Sequence, residues 1–366
     1  MHSARRRPGP SSRRPTRLRD GDPACNSLLQ ALTTVGCIGG GQLGRMLALA
    51  GVPLGLSFRF LDPAPDACAA EVGELVVAAY EDSDGLDRLA SGAAVVTFEF
   101  ENVPVAAAER VGAVPGARSL EEGQDRVREK ELFRSLGIPT PRFGTLADAG
   151  VPALVKTRRL GYDGKGQRLV DDPDAVIGDG ELAEELVAFE RELSIVGVRT
   201  ASGEMRFWPV GENVHRGGIL RLTRAPAADA PQAEAEAICA AVMEALGHVG
   251  VLAVALFDVG GSLLANELAP RVHNTAHWTI DGAETSQFEN HLHAILRLPL
   301  GGTAARAPCV MANLVGAVPP LQELLALPGA HVHLYGKEPR RGRKVGHVTL
   351  VDPEETTVDR LVALAG

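Results

Sequence analysis

The stretch VGCIGGGQLGRM, residues 35–46, indicates how the folded part of the chain begins. A short apolar run leads into three consecutive glycines, and an apolar, periodic segment follows at residues 46–50. This order predicts a strand, a tight turn and a helix. Such a unit is the repeating element of α/β proteins, so the pattern further along the chain decides the fold class.

The next apolar runs extend this unit into a sheet. Residues 57–61 and 93–98 are typical of strands, and acidic side chains follow each of them directly, at Asp62 and within residues 99–102. Strands that alternate with helices form an open, mostly parallel α/β sheet, and ligands bind beyond the carboxyl ends of its strands. We therefore expect residues 39–44 and these acidic groups to border one ligand site.

The glycines Gly39, Gly41 and Gly44 have the spacing of a dinucleotide-binding fingerprint, and Asp62 comes eighteen residues after the last of them. One interpretation is a nicotinamide-dependent oxidoreductase. The other is a turn that lets the backbone approach any phosphate at a helix N-terminus, including that of a nucleoside monophosphate. The rest of the chain fits the first interpretation poorly.

Composition excludes several classes of function. A chain of 366 residues is too long for one ordinary core and predicts two or three domains. Its 45% hydrophobic and 23% charged residues are typical of a soluble globular protein, and no apolar run approaches the roughly 18 residues of a membrane span. The net charge of -9 and the aromatic content of 4% argue against nucleic-acid binding. Five scattered cysteines predict reduced thiols in the cytoplasm.

The first 33 residues differ from the rest. Residues 1–20 carry seven arginines, several prolines and serines, and one acid, Asp20. Organelle transit peptides are also rich in arginine and serine, but Pro8, Pro10 and Pro15 would interrupt the amphipathic helix that such peptides form. We expect a disordered basic extension over residues 1–33, or a start codon that has been assigned too early.

A second α/β region follows the first. A charged helix at residues 121–136 ends at a boundary rich in glycine and proline, residues 137–141. Beyond it we predict strands at 154–156, 182–187, 191–198, 251–258, 262–266 and 332–335, a glycine-rich loop at 159–167 and a helix at 232–246. The predicted domains are residues 34–126, 127–308 and 309–366.

Lysine is rare enough in this chain to be informative. Only five of the 37 basic residues are lysines, namely Lys130, Lys156, Lys165, Lys337 and Lys344. A chain that prefers arginine is expected to retain lysine where a compact ammonium group is needed, for example against phosphate. Chance positions on the surface are the alternative explanation.

The loop RLGYDGKGQ, residues 159–167, has basic groups on both sides of its glycines. Such a loop can close over a triphosphate with its backbone N–H groups, and Lys156 on the preceding strand would face the same site. A plain β-hairpin turn is the alternative, because Asp-Gly is a hairpin signal. The backbone of residues 184–187 could contact an adenine ring, and the Glu192 carboxylate could bind ribose hydroxyls. Acidic segments of this kind are more often a solvent-exposed face.

The segment NELAPRVHN, residues 266–274, follows a predicted strand and is dense in polar groups. Hard oxygen ligands such as those of Asn266 and Glu267 suit Mg²⁺ that bridges phosphates. No histidine spacing fits a closed zinc site, and we expect His291 and His293 to lie on a helix surface.

Five motifs together point to one family. They are GGGQLGRM at 39–46, VTFEFENVP at 96–104, GYDGKGQ at 161–167, NELAPRVHNTAHW at 266–278 and GRKVGH at 342–347. In this order they resemble the N5-carboxyaminoimidazole ribonucleotide synthases, which are ATP-grasp ligases. The resemblance implies an α/β fold with an N-terminal open parallel sheet, a central α+β ATP-grasp domain and a small C-terminal β-rich domain. It also implies ATP- and bicarbonate-dependent carboxylation of 5-aminoimidazole ribonucleotide via carboxyphosphate, in de novo purine biosynthesis.

The resemblance implies a role for each matching position. The implied ATP contacts are Arg126, Lys156, Gly161, Tyr162, Asp163, Gly164, Lys165, Gly166, Gln167, Glu184, Glu185, Leu186, Val187, Glu192, His215, Asn266 and Glu267. The implied ribonucleotide contacts are Gln42, Leu43, Glu99, Glu101, His273, Asn274, Lys337, Arg343 and Lys344. Asp163, Lys344 and Arg271 are the candidates for catalysis, and Glu267 for holding Mg²⁺. The same likeness implies a cytoplasmic homodimer that binds small molecules but neither nucleic acid nor membrane.

One position departs from the family pattern. Relatives usually carry a glutamate on the strand before the Asn-Glu pair, as a second Mg²⁺ ligand, and Ala255 stands there. Asp258 lies three residues further on, so its side chain would point to the opposite face of the strand. We expect weakened Mg²⁺ binding and weak activity. The alternatives are an ATP-binding relative with impaired catalysis and another ATP-grasp carboxylate–amine ligase.

Overall fold

A computed structural model describes residues 33–161 and 166–366, so the extension predicted at residues 1–33 lies outside the described residues except for its last residue. The first strands are β1 Thr34–Ile38, β2 Ser57–Asp62, β3 Glu74–Val77 and β4 Ala93–Phe98. The helices of this part are α1 Gln42–Gly51, α2 Ser83–Ala90, α3 Val105–Arg110 and α4 Ala117–Gly123. The strands pair in parallel in the order β3-β2-β1-β4, which confirms the predicted parallel sheet.

The strand, turn and helix predicted from residues 35–46 are β1, the triple glycine and α1. Gly39 has a φ of +100°, a backbone conformation that side-chain-bearing residues rarely adopt. A Cβ atom at Gly44 would lie 3.2 Å from the ring of Phe60, so the packing of α1 onto β2 depends on the absent side chain. The turn therefore leaves the sheet at the carboxyl end of β1.

A small antiparallel sheet follows, together with α5 Arg126–Ser135 and α6 Leu146–Ala149. Its strands are β5 Phe143–Gly144, β6 Ala153–Thr157, β7 Gln167–Val170 and β8 Glu181–Glu185, in the order β5-β8-β6-β7. Lys156 on β6 pairs with Gln167 on β7. The glycine-rich loop thus connects two antiparallel neighbours and leaves the sheet at the end where Lys156 lies.

A larger antiparallel sheet completes the molecule. Its strands are β9 Arg191–Arg199, β10 Met205–Phe207, β11 Gly211–Arg216, β12 Ile219–Ala225, β13 Gly250–Val259, β14 Ser262–Ala269, β15 Cys309–Val315, β16 Ala330–Leu334 and β17 Lys344–Val351. The remaining helices are α7 Gln232–Leu246, α8 Thr279–Gly282, α9 Gln287–Ile295, α10 Leu321–Leu325 and α11 Glu355–Ala365. The strand order is β14-β13-β9-β11-β12-β15-β17-β16, and β10 pairs with β9.

The C-terminal strands continue this sheet rather than forming one of their own. β15 pairs with β12 from Leu222 opposite Ala312 to Ala225 opposite Cys309. The predicted β-rich C-terminal part is therefore joined by backbone hydrogen bonds to the strands that precede it. This connection brings the GRKVGH motif towards the loop at residues 266–278.

One apolar cluster holds the parallel sheet against the large sheet. Leu47, Phe60, Trp278, Phe288 and Tyr335 belong to it, and none of these side chains is more than 1% exposed. Burial of each large apolar side chain stabilises the fold by about 1.5–3 kcal/mol. This packing fixes the turn before α1 relative to the loop at residues 266–278.

Several predicted elements need correction. The helix predicted at 121–136 is two helices, α4 and α5, because Asp125 caps the second one by accepting a hydrogen bond from Val127 N–H. The strand predicted at 182–187 ends at Glu185. His291 does not lie on a helix surface: it is fully buried, and its Nε2 atom is 3.0 Å from the Thr97 hydroxyl. None of the helices in the described ranges combines the length and hydropathy that crossing a bilayer requires.

Candidate active site

A cleft of about 860 Å³ is lined by residues of the parallel sheet, the small sheet and the large sheet. The predicted site residues that line it are Gln42, Leu43, Glu99, Glu101, Arg126, Lys156, Gly161, Gln167, Glu192, His215, Asn266, Glu267, Arg271, His273, Asn274, Lys337 and Lys344. Gln42 and Lys344, which are 302 positions apart in sequence, thus line one cleft, and its volume suits a nucleotide with a second small substrate.

The other predicted residues either do not line the cleft or lie outside the described residues. Gly166, Glu184, Glu185, Leu186, Val187 and Arg343 do not line the cleft. Leu186 is 47% exposed and follows the end of β8, and the guanidinium of Arg343 donates to the Glu338 carbonyl at 3.3 Å. The predicted ATP contacts Tyr162, Asp163, Gly164 and Lys165 lie outside the described residues.

The turn before α1 uses its amide groups to hold two carboxylates. Gly41 N–H and Gly44 N–H donate to the two oxygens of Glu99, at 2.5 and 2.9 Å. Gly40 N–H donates to Asp62 at 2.8 Å. These three amides are therefore not available to a phosphate. Asp62 also accepts from Ala64 N–H at 2.9 Å and from the Tyr80 hydroxyl at 3.1 Å, so little of its carboxylate is left for a ribose. The dinucleotide interpretation does not fit this turn. The alternative prediction, that these amides hold the phosphate of a nucleoside monophosphate, is wrong as well.

Glu99 connects the turn to the rest of the cleft. Burial raises the pKa of its carboxyl, although the Gly44 and Gly41 amides and the Lys337 ammonium oppose that effect. Lys337 also donates to the Gln42 side chain at 2.7 Å. A buried acid, a lysine and an amide thus form a polar floor at this end of the cleft.

Glu101 and Arg271 form an ion pair in the middle of the cleft. Burial opposes ionisation of both groups, but their mutual attraction is stronger: it lowers the pKa of Glu101 and raises that of Arg271. Both charges therefore persist at neutral pH. The guanidinium also donates to the Val272 carbonyl at 2.9 Å, which fixes its orientation.

Glu267 presents its carboxylate at the opposite end, where its side chain is 45% exposed. Burial opposes ionisation, but Arg126, Lys156, His273 and His215 outweigh it and hold the pKa of Glu267 at about 2. The Arg126 guanidinium lies 3.4 Å from this carboxylate. The acid is therefore ionised in a positively charged surrounding, as a group that shares a site with phosphates would be.

Ala255 lies directly opposite Glu267 in the pairing of β13 with β14 and also lines the cleft. Directly opposed side chains have Cβ atoms about 4.5–5.5 Å apart, so a carboxylate at position 255 would lie beside Glu267. Asp258 does not replace it, because its carboxylate is buried and bound to Arg191 at 2.8 Å and to Gly261 N–H. The orientation predicted for Asp258 agrees with this geometry.

The remaining oxygen donors suit a weakly held divalent cation. No group of three or more His, Cys, Asp or Glu side chains in the described part of the chain could hold a metal ion. The Asn266 Oδ1 atom beside Glu267 is buried without a hydrogen-bond partner among the described groups. One carboxylate and one amide oxygen fit Mg²⁺ that takes its other ligands from phosphates and water.

Two charged residues behind the cleft, Glu184 and Lys130, form a buried network with Lys156 of the cleft wall. The Glu184 carboxylate is 2% exposed and lies 2.8 Å from the Lys156 ammonium and 3.3 Å from that of Lys130. Lys130 also donates to the Asn266 carbonyl at 2.9 Å. The Glu184 side chain therefore positions Lys156, and the contact of residues 184–187 with adenine stays a prediction.

Sequence reasoning missed two features of the cleft. The rings of Phe189 and Phe257 stack with centroids 4.6 Å apart, and both residues line the cleft. Phe257 lies two residues after Ala255 on the same face of β13, which is the signal that could have identified it. Glu129 on α5 also lines the cleft, and burial raises its pKa to about 8 despite Lys130 and Arg126 nearby.

Family models match three consecutive parts of the chain. Residues 32–121 match the ribonucleotide synthetase preATP-grasp domain, and residues 131–288 match the ATP-grasp domain. Residues 309–361 match the phosphoribosylaminoimidazole carboxylase C-terminal domain. The first match spans the parallel sheet, the second spans the small sheet and the large sheet up to β14, and the third spans the C-terminal strands of the large sheet.

Curated relatives and solved structures agree with these matches. The chain is 49% identical to N5-carboxyaminoimidazole ribonucleotide synthase of Pseudomonas aeruginosa, over 90% of this chain and 97% of the relative. It is 41% identical to that of Brucella melitensis, over 88% of this chain and 97% of the relative. The crystal structure of N5-carboxyaminoimidazole ribonucleotide synthetase from Thermus thermophilus superimposes with a TM-score of 0.86 at 53% identity, covering 90% of this chain and 98% of that one.

A further structure shows which ligands a relative binds. The enzyme from Aspergillus clavatus in complex with ADP and 5-aminoimidazole ribonucleotide superimposes with a TM-score of 0.83 at 29% identity, covering 91% of this chain and 98% of that one. Similarity of this extent spans all three sheets and the whole cleft. The chain belongs to the N5-carboxyaminoimidazole ribonucleotide synthases, a family of ATP-grasp ligases.

Proposed function

We propose that this chain uses ATP and bicarbonate to carboxylate the exocyclic amine of 5-aminoimidazole ribonucleotide, in de novo purine biosynthesis. One observation carries the proposal: the turn at residues 41–43, the flanks of the glycine-rich loop at Gly161 and Gln167, and Glu267 border a common cleft. A triphosphate on the loop side would then face a nucleoside monophosphate on the turn side. The relative from Aspergillus clavatus, which holds ADP and the ribonucleotide together, supports this arrangement.

The nucleotide end of the cleft combines apolar and charged walls. The stacked rings of Phe189 and Phe257 offer an aromatic surface for a purine base. The Glu192 carboxylate lies 2.7 Å from the Nδ1 atom of His215 at the same end, where it can also accept from ribose hydroxyls. Lys156 supplies a positive charge for the phosphates.

The ribonucleotide end must hold its phosphate with side chains. The amides of the turn before α1 are occupied by Glu99 and Asp62, so they cannot contribute. Lys337 and Lys344 line this end and are the cations we assign to the phosphate and to the new carboxylate. Arg343 lies outside the cleft wall, so its predicted phosphate contact requires a movement of the segment before β17.

Magnesium is the metal that we assign to the phosphate end. Glu267 and the Asn266 Oδ1 atom would hold it, because they are hard oxygen donors of adjacent residues in the cleft wall. A bound Mg²⁺ would offset negative charge on the transferring phosphoryl group. Arg126, 3.4 Å from Glu267, supplies a fixed positive charge beside it.

The reaction then follows from the placement of charges. A bicarbonate oxygen attacks the γ-phosphorus, the bond to the β,γ-bridging oxygen breaks, and ADP and carboxyphosphate form. The exocyclic nitrogen bonds to the carboxyl carbon, phosphate leaves with the bicarbonate oxygen, and the nitrogen's proton departs with it. Lys156 and Arg126 stabilise charge at the phosphoryl group. The ion pair with Glu101 fixes the Arg271 guanidinium, which can then bind the new carboxylate.

Lys344 and Asp163 are the two remaining candidate catalytic residues. Lys344 lines the cleft at the ribonucleotide end, where its ammonium can orient the new carboxylate. Asp163, our candidate for proton handling, lies outside the described residues, within the loop that would close over the phosphates. Closing this loop would keep water away from carboxyphosphate. This exclusion is needed because carboxyphosphate is an unstable intermediate.

The experiment that tests the proposal is an omission assay of ADP release. We expect ADP to form only when ATP, bicarbonate and aminoimidazole ribonucleotide are all present. ADP release with another amine and carboxylate, and none with this pair, would favour a different ligase of the same fold. ATP binding without any ADP release would favour the alternative of an ATP-binding relative whose catalysis is impaired by Ala255.

A homodimer and a cytoplasmic location complete the proposal. The four cysteines in the described ranges, Cys37, Cys68, Cys239 and Cys309, are all free and buried, as expected in a reducing compartment. The dimer rests on the family likeness, and light scattering of the purified protein measures it. The partners that we assign are small molecules only: ATP, bicarbonate and the ribonucleotide.

A further inference from the structure

A layer of polar side chains lies buried behind the cleft, between the loop at residues 266–278 and the C-terminal strands. Its members are His277, Asn313, His347 and Thr349, and none of them is more than 1% exposed. Each has a side-chain nitrogen or oxygen atom without a hydrogen-bond partner in the part of the chain that the structure describes. Such groups are rarely left unsatisfied in folded proteins, so their concentration in one layer requires an explanation.

The hydrogen bonds of Gln287 fix which nitrogen of His277 carries the proton. The Gln287 oxygen accepts from His273 N–H at 2.7 Å, so its amide nitrogen is the group that faces the His273 carbonyl and the His277 ring. This nitrogen can only donate, and the Nδ1 atom of His277 therefore accepts at 3.2 Å. The proton of the neutral ring lies on Nε2, where it has no acceptor among the described groups.

His347 brings a second unsatisfied ring nitrogen to the same place. Its ring centroid is 4.9 Å from that of His277 and 4.5 Å from that of His333. Its Nδ1 atom is bonded to the Tyr335 hydroxyl at 2.7 Å, and its Nε2 atom has no partner within the described ranges. The two free Nε2 atoms thus belong to neighbouring rings.

The strand pairing places two more free groups beside His347. Asn313 on β15 is its direct neighbour across the sheet, so their side chains share one face, and the Asn313 Oδ1 atom is among the unsatisfied atoms. Thr349 lies two residues along β17 on that same face, with an unsatisfied hydroxyl. A donor on His277, an acceptor on Asn313 and groups of either kind on His347 and Thr349 therefore lie together.

We propose that this layer encloses at least one ordered water molecule, held by His277, His347 and Asn313, and that this bridge positions β17 against the loop at residues 266–278. Water accepts and donates, so it satisfies the His277 N–H, the Asn313 oxygen and His347 in either of its neutral forms. Buried waters in proteins typically have about three such partners.

The bridge joins two segments that both contribute to the cleft. Lys344 lies three residues before His347 on β17, and His273 and Asn274 lie just before His277 on the loop. These three residues line the ribonucleotide end of the cleft. The hydrated layer therefore acts on the proposed reaction by positioning them, and this second part of the inference rests on the proposed function.

A crystal structure of the full chain at about 1.5 Å resolution tests the first part without any assay of activity. We expect density for a water within hydrogen-bond distance of the His277 and His347 Nε2 atoms. His248 is the internal control: it is also fully buried, but its ring nitrogens are 3.0 Å from the Ser119 hydroxyl and the Val251 carbonyl, so no water is expected there. A dry contact between His277 and His347 would overturn the proposal.

Variants of His347 test the second part. We expect His347→Leu, which cannot hold the water, to raise KM for the ribonucleotide about tenfold while KM for ATP stays unchanged. His347→Gln retains a donor and an acceptor and should restore most of the loss. His248→Leu, the matched control, removes a buried imidazole far from β17 and should leave both KM values near those of the parent.

The outcomes separate the possible failures. Equal shifts in the two KM values, or the same ribonucleotide shift in the His248 variant, would contradict a positioning role. If His347→Leu does not fold, His347→Gln and the crystal structure still decide the question. A parent protein that shows the water but does not carboxylate the ribonucleotide would refute the proposed function and leave the hydrated layer standing.

Discussion

Ala255 is the residue at which this chain departs most clearly from its family. It lies opposite Glu267 across two paired strands, and it faces the same cleft. The other acids that line the cleft already have partners: Glu99 holds the turn, Glu101 pairs with Arg271, Glu192 contacts His215, and Glu129 accepts from Leu268 N–H. Glu267 is thus the carboxylate that faces the phosphate end, and it lies 3.4 Å from the Arg126 guanidinium.

We expect Ala255→Glu to tighten Mg²⁺ binding roughly tenfold, because a second carboxylate beside Glu267 adds a charged oxygen ligand. The measurement is the Mg²⁺ concentration that gives half-maximal ADP release at fixed ATP, together with Mn²⁺ binding followed by electron paramagnetic resonance. The second readout does not require turnover.

Ser262→Glu is the matched control for this prediction. It adds the same charge to β14 at an exposed position outside the cleft wall. The control should leave metal binding unchanged. Identical metal dependence in the parent and the Ala255 variant would show that position 255 has no part in the metal site.

Single residues show what could be predicted from sequence and what could not. The lysines were identified by their rarity, and Lys156, Lys337 and Lys344 line the cleft. The roles of Glu99 and Asp62 could not be predicted, because a glycine-rich turn looks the same whether its amides hold a phosphate or a carboxylate. The buried state of His291 depends on a contact with Thr97, which lies 194 positions away.

At the scale of elements, a buried charge network ties α5 to β6 and β8. Lys130 on α5 is fully buried, and its ammonium meets Glu184 of β8, the Asn266 carbonyl and, at 3.4 Å, the Thr140 hydroxyl. Lys156 of β6 completes the network with its own bond to Glu184. The small sheet is thereby held to the helix that begins at Arg126.

We expect Lys130→Met to destabilise the protein by about 3 kcal/mol, since removing one partner leaves a buried carboxylate with less compensation. Urea unfolding followed by circular dichroism measures the change in the free energy of unfolding. The helix itself should persist, because methionine and lysine have similar helix propensities.

Arg128→Met on the same helix is the control. Arg128 forms an ion pair with Glu121, but both side chains are more than 40% exposed. Surface pairs of this kind contribute about 1 kcal/mol or less. A loss of equal size in the two variants would contradict a special role for the buried network.

Periodicity predicted the long elements well, and it failed where other forces set the boundaries. The helix at Gln232–Leu246 and the strand at Ala93–Phe98 have the predicted limits, since each is a continuous apolar pattern. β3 was missed because its four residues, Glu74–Val77, carry too little pattern. The break between α4 and α5 depends on Asp125, whose capping role is hidden within a charged run.

At the scale of the whole molecule, buried neutral histidines make the fold sensitive to acid. Burial lowers the pKa of His248 to about 4 and that of His273 and His291 to about 3. Burial also places the pKa values of His277 and His347 well below the ordinary value. The unfolded chain takes up protons on these rings below about pH 6.5, whereas the folded chain does not.

We therefore expect the free energy of unfolding to fall as the pH drops from about 6.5 towards 4. Each such histidine contributes a slope of up to about 1.4 kcal/mol per pH unit. Glu129, with its raised pKa of about 8, and Glu99, whose pKa burial also raises, act in the opposite direction, because the folded chain binds protons there that the unfolded chain lacks. Five histidines outweigh these two glutamates, so the free energy of unfolding falls.

Urea midpoints at pH 7.5 and pH 5.5 measure this effect. The midpoint should be clearly lower at the acidic pH. A midpoint that stays constant or rises would mean that the buried rings can be protonated in the folded state, and the hydrogen bonds described for His277 and His347 would then be wrong.

The joining of the sheets is the part of the architecture that sequence could not supply. The parallel sheet and the motif order were predictable, because each depends on local patterns and on their spacing along the chain. The pairing of β15 with β12 is not local: it joins Ala225 to Cys309 across 84 positions of sequence. The shared cleft follows from this pairing and from the apolar cluster around Trp278.

Oxygen-18 labelling shows whether a bicarbonate oxygen is transferred to phosphate during turnover. If a bicarbonate oxygen attacks the γ-phosphorus within this cleft, turnover with oxygen-18 bicarbonate places one labelled oxygen in each phosphate released. We expect that label by mass spectrometry, and only when the ribonucleotide is present. Phosphate that carries oxygen from water alone, or that forms without the ribonucleotide, would contradict the account.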